Sequence, residues 1–153
     1  MTRTTRRVVV GVGVVTLGLV ASHLLGSRPE ATEADAPVAV CPGTPTCARV
    51  RVEIAAPPAD VRAAARRALT GTGGLTGSTE AVTDTPTGAL ATVRIGPFVD
   101  EVAVEVDNAP TGAVLWVRSA SRVGGTDLGV NRWRTHRLVD AVAGWLPDGA
   151  VRR

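Results

Sequence analysis

From Arg49 to Ser121 the sequence is cut by turn residues into short runs, most of which alternate apolar with polar side chains. No other feature constrains the fold as much. Arg49 to Ile54 (RVRVEI) alternates charged with β-branched residues, the signature of a half-buried strand. Ser78 to Thr83 is a weaker strand candidate. Ala89 to Ile95 sets Ala91, Val93 and Ile95 on one side. Val99 to Val106 turns Val102, Val104 and Val106 inward and Ala103 and Glu105 outward. Ala113 to Ser121 holds four consecutive apolar residues, Val114-Leu115-Trp116-Val117, as expected of a more central strand. Thr85-Pro86-Thr87-Gly88, Gly96-Pro97 and Asp107 to Gly112 are the turns between them. Connections this short favour antiparallel neighbours.

Two helices complete the pattern. Pro57 and Pro58 open the first, in which Val61, Ala64, Ala65, Ala68 and Leu69 share a face. The glycine-rich Thr70 to Gly77 ends it. The second spans about Leu128 to Leu146. Asp127 is its candidate N-cap, Leu138, Val142, Trp145 and Leu146 form its apolar face, and Pro147 is its stop. The expected fold is α+β: an antiparallel sheet of four to five strands with two helices packed on one face, preceded by one transmembrane helix.

That preceding helix is read from Val8 to Leu25, an uncharged run behind Arg3, Arg6 and Arg7. As a helix it would span about 27 Å, close to the thickness of a bilayer core. The basic flank, residues 1–7, would stay in the cytoplasm and the remainder would be translocated. An uncleaved anchor is favoured over a cleaved signal peptide, for which Val20-Ala21-Ser22 is a weak cleavage site. Cleavage would instead give a secreted protein. Residues 26–38 read as a linker, 39–148 as the folded domain and 149–153 as a tail.

Composition excludes some chemistry. All 17 basic residues are arginine, so lysine nucleophiles and a Walker-type phosphate loop are ruled out. From Ala36 onward thirteen arginines face eleven acids. That balance, with aromatics at 3%, offers nothing for nucleic acid. Cys41 and Cys47, in CPGTPTC, are the only cysteines. In an exported chain they are disulfide candidates. Free buried thiols come second, and metal or redox roles a distant third, because the only histidines are His23 and His136. No cofactor or metal site is expected.

The most distinctive string is RSASRVGGTDLGVNRWR, Arg118 to Arg134. With CPGTPTC and the run Phe98-Val99-Asp100-Glu101-Val102 it resembles the bacterial and plastid family called domain of unknown function 1499. Members share a Cys-Pro-x-x-Pro-x-Cys opening, a helix, strands with a Phe-x-Asp-acid-Val run, and then this long motif. The resemblance covers roughly Val40 to Leu146. The chain departs from the pattern at Thr46, where Asn is usual, at Ala103 and Val104, where an acid and an aromatic are common, and at Trp133, where a charge is common. The resemblance implies architecture and location, with no activity attached.

The motif itself reads as a strand end, a glycine turn and a helix start. Alternation sets Arg118, Ala120 and Arg122 on one face and Ser119 and Ser121 on the other. Asp127, Asn131 and Arg134 lie within a turn of one another. In one reading the motif is a structural lock, with Arg118 and Arg122 paired to Asp100 and Glu101 while Asp127 caps the helix. In another, Arg118, Ser119, Ser121, Arg122, Asp127, Asn131 and Arg134, with Asp100 and Glu101, bind an anionic head group of a lipid or cell-wall fragment. Hydrolysis through Ser119 or Ser121 with His136, and docking onto an envelope protein through Trp133, are the remaining readings.

Overall fold

The computed structural model describes residues 37–72 and 77–152. The segment Val8 to Leu25, read above as an anchor, lies outside them. Among the described residues no helix is long and apolar enough to cross a membrane.

The elements follow the sequence pattern closely. They are β1 (Cys47–Ile54), α1 (Pro58–Thr70), β2 (Ser78–Asp84), β3 (Gly88–Ile95), β4 (Phe98–Ala109), β5 (Gly112–Ser121), α2 (Val130–Ala143) and β6 (Val151–Arg152). The strands form one antiparallel sheet in the order β2-β3-β4-β5-β1-β6. β2, β3, β4 and β5 are a meander. The crossover through α1 lets β1 pair along the far side of β5, with Val50 opposite Val117.

Val102, Val104 and Val106 of β4, Leu115 and Val117 of β5, and Ile54 of β1 share one buried cluster with Val61, Ala65 and Leu69 of α1 and Leu138 and Val142 of α2. Both helices therefore cover the same sheet face. Pro58 occupies the first turn of α1, where its missing N–H removes no hydrogen bond. Alanines on its buried face let it approach the valine-lined sheet closely. The β4–β5 hairpin needs a glycine: Gly112 has φ +141, and a Cβ there would stand 2.1 Å from the Ile54 carbonyl oxygen.

The opposite sheet face carries a smaller layer of Val38, Val114 and Trp116, with Ala103 and Ala109 against it. Val38, at the end of the expected linker, is thus buried in the domain.

Three expectations change. Residues 151–152, read as tail, pair with Glu53 and Ile54 as a sixth strand; two residues are too few to carry an alternation. The last helix ends at Ala143, so Trp145, assigned to its apolar face, is 60% exposed and lies beneath the Arg67 guanidinium at 5.3 Å. It also begins later than expected, with Gly129 at its N-cap in the left-handed region (φ +81). At the sheet edge, β2 is irregular between Thr79 and Ala81, and Glu80 pairs with Arg94 of β3.

Candidate functional site

The end of β5, the following loop and the first turn of α2 meet the start of β4 and the disulfide loop at one end of the sheet. Alternation along β5 turns Ser119 toward the helices and Arg118 away from them. The motif is therefore divided between two faces.

On the helix face its polar groups close on one another. Arg134 is 1% exposed and Asp100 2%, and Arg134 Nη1 lies 2.8 Å from Asp100 Oδ2. The same nitrogen lies 2.8 Å from Ser119 Oγ and 3.0 Å from Asn131 Oδ1. Ser119 Oγ donates to Asn131 Oδ1. Asn131 Nδ2 in turn donates to the Thr46 carbonyl at 2.8 Å and to Ser121 Oγ at 3.0 Å. The Thr46 carbonyl also accepts from Ser121 N at 2.9 Å. Cys41 and Cys47 are bonded, with Cα atoms 5.6 Å apart, and enclose the loop that presents this carbonyl. Arg134 Nε and Nη2 are buried without a hydrogen-bond partner. The charge of Arg134 is thus answered through one nitrogen, and that ion pair bears the desolvation of the whole guanidinium.

The expected pairing is corrected here. Asp100 pairs with Arg134 and not with Arg118, because Arg118 points to the other side of the sheet. Glu101 does pair with Arg122, at 2.9 Å in an exposed position. A surface pair of this kind is worth about 0–1 kcal/mol.

Asp127 fastens the start of α2 from two residues before its N-cap. Its carboxylate accepts from Gly129 N at 2.9 Å and from Asn131 N at 2.8 Å. Burial alone would raise its pKa. The Asn131 and Gly129 backbone N–H groups outweigh that and hold the carboxyl below its ordinary value. A lowered carboxyl pKa contributes stability that is complete above the ordinary value and is lost as pH falls through the lowered one. Asp127→Ala should therefore destabilise the domain by about 1 kcal/mol at neutral pH. Parallel urea titrations of the two proteins should converge in strong acid, and a gap that persists there would show that the carboxylate is not the source.

Neither serine is set up as a nucleophile. Ser119 and Ser121 are engaged by Asn131, His136 is exposed on α2, and among the described residues no hydrogen bond links it to either serine. Among the described residues no group of three or more His, Cys, Asp or Glu side chains could hold a metal ion.

The outer face presents a different arrangement, which sequence reasoning missed. Arg49 of β1 and Arg118 of β5 are directly opposite each other, and Arg51 is opposite Trp116. The Trp116 ring, 2% exposed, has the Arg49 guanidinium 4.7 Å and the Arg51 guanidinium 5.8 Å from its centroid. Trp116 Nε1 donates to Asp107 Oδ2 at 3.1 Å. Arg51 also bonds Glu53 at 3.0 Å. Arg118 is half-buried, and its Nε has no hydrogen-bond partner among the described residues. The signal was present in the alternation of RVRVEI and of LWVRSAS, but only the β1–β5 register brings the two strings together.

The family model described as "Protein of unknown function (DUF1499)" matches residues 37–142. No curated protein and no solved structure matches the chain.

Proposed function

Since the chain belongs to the DUF1499 family, whose description carries no activity, we propose a function read from its surfaces: a non-catalytic recognition module that grips a phosphate or carboxylate group at Arg118. The observation that carries this is the placing of Arg118 on the outer sheet face. Its Nε is buried and unpartnered, directly across from Arg49 and one strand position from the Arg49–Trp116–Arg51 stack. An anion seated on the Arg118 guanidinium would make charge-assisted hydrogen bonds with it.

The module would work outside the cytoplasmic membrane, held by Val8 to Leu25, with an anionic lipid head group or a cell-wall fragment as its ligand. The Cys41–Cys47 bond supports an oxidising compartment. The motif Arg118 to Arg134 then has a double role. Its helix-face half (Ser119, Asn131, Arg134) locks α2 onto the sheet, while Arg118 on the other face remains available to the ligand.

The test is calorimetric titration of the full chain, in zwitterionic micelles, with inorganic phosphate and with short-chain phosphatidylglycerol. Both should bind, and Arg118→Ala should weaken both about tenfold, roughly 1.4 kcal/mol. Arg122→Ala, which removes only the exposed pair with Glu101, should bind as the wild type does. Heats that do not change with Arg118→Ala would remove the proposal. Binding of phosphatidylglycerol without binding of phosphate would identify the lipid as the source of the anion.

A further inference from the structure

Among the described residues seven large apolar side chains are exposed, and five of them, Val40, Phe98, Val123, Leu128 and Trp133, lie at one end of the sheet. They come from four segments that meet only in the fold. Phe98 opens β4. Val123 follows β5, and the backbone bond from Arg122 N to Val99 O carries the β4–β5 register on, so that Phe98 and Val123 are neighbours. Leu128 stands before α2 and Trp133 on its first exposed turn, while Val40 precedes the disulfide loop. Leu128 is 93% exposed and has φ +54, a left-handed conformation uncommon for a residue with a Cβ. It directly follows Asp127, which accepts from the backbone N–H groups of Gly129 and Asn131. Its side chain thus gains nothing from burial in its own domain, although its backbone conformation is costly.

We propose that this end of the domain is a lipid-contacting tip, which sets Leu128, Val123 and Phe98 into the acyl boundary of a bilayer with Trp133 at the interface. Surface-inserting segments carry basic side chains beside apolar ones. Arg122 adjoins Val123 in the chain, Arg132 adjoins Trp133 and Arg137 is one turn on, while Arg122 is paired with Glu101 and Asp127 adjoins Leu128. Arg137 faces the Trp133 ring at 5.8 Å. Tryptophan suits the head-group level. Upstream, the uncharged run ends at Leu25, twelve residues before the first described residue. Twelve residues reach up to about 40 Å, roughly the length of β4, so the tip can face the same membrane. This inference rests on the membrane part of the functional reading but not on Arg118.

The experiment reconstitutes the full chain in phosphatidylcholine liposomes, with Leu128→Cys carrying a polarity-sensitive fluorophore. The native cysteines are bonded and do not compete for label. Asn108→Cys, at the opposite end of β4, is the reference. Emission from position 128 should rise severalfold on reconstitution and be quenched by spin-labelled acyl chains, while position 108 stays at its aqueous value. Adding Phe98→Ser and Val123→Ser should abolish the rise. Equal, water-like emission at both positions would overturn the proposal. So would a rise at 128 that follows protein concentration instead of lipid, which would mark self-association. Phosphatidylcholine carries no net charge, so Arg118→Ala should leave the signal at 128 unchanged. Failure of anion recognition and failure of the tip are thereby read separately.

Discussion

Asp100→Ala should be the most damaging single polar substitution in the domain, lowering its stability by about 3–5 kcal/mol. Arg134 would keep only Ser119 and Asn131 as partners for Nη1, while its Nε and Nη2 have no hydrogen-bond partner already. A guanidinium buried to 1% exposure would be left without a counter-charge. For a domain of ordinary stability this is about a fifth or more of the total. The midpoint of urea unfolding measures it. Replacing both partners, as Asp100→Leu with Arg134→Met, should recover much of the loss, because two desolvated charges disappear together. A single substitution that costs under about 1 kcal/mol would mean that water enters the network, and a double variant no better than the single one would mean that shape, not charge, sets the penalty.

Trp116→Ala should cost about 3–5 kcal/mol, the usual range for emptying a buried aromatic site. The ring joins the outer face to the rest of the fold. It packs on Val38 and Val114, stacks on Arg49 and Arg51, and donates to Asp107. Trp116→Phe keeps the packing and the stack but gives up the hydrogen bond, so about 1 kcal/mol should be lost. Thermal unfolding of the three proteins ranks the two contributions. If the alanine and phenylalanine variants were equally unstable, the hydrogen bond and not the ring would hold this layer.

Much of the fold was legible because β3 and β4 declare their own inward faces by alternation. Val102, Val104 and Val106 needed no neighbour to be assigned, and neither did the Pro57–Pro58 entry into α1. What the sequence concealed depends on pairing at a distance. Arg118 was matched to the acidic run because β4 and β5 are adjacent. However, the partner of Asp100 comes from the helix, thirty-four residues later. Arg49 lies sixty-nine residues from Arg118 and is brought to it only by the insertion of β1 beside β5. Trp145 was misplaced for a different reason: the helical repeat continues past Ala143 in the sequence, but the helix does not.

The two margins of the sheet have a consequence when copies of the domain meet. A long, flat outer strand offers a row of unpaired backbone groups to the next molecule and invites growth into fibrils. Here the two margins differ. On one side β2 is bulged between Thr79 and Ala81 and bears the Glu80–Arg94 charges. On the other, β6 covers only Glu53 and Ile54, and among the described residues no strand lies beside the remainder of β1. Strand-to-strand contact between copies of the domain is therefore disfavoured along β2, and the β1 margin is where it would have to form.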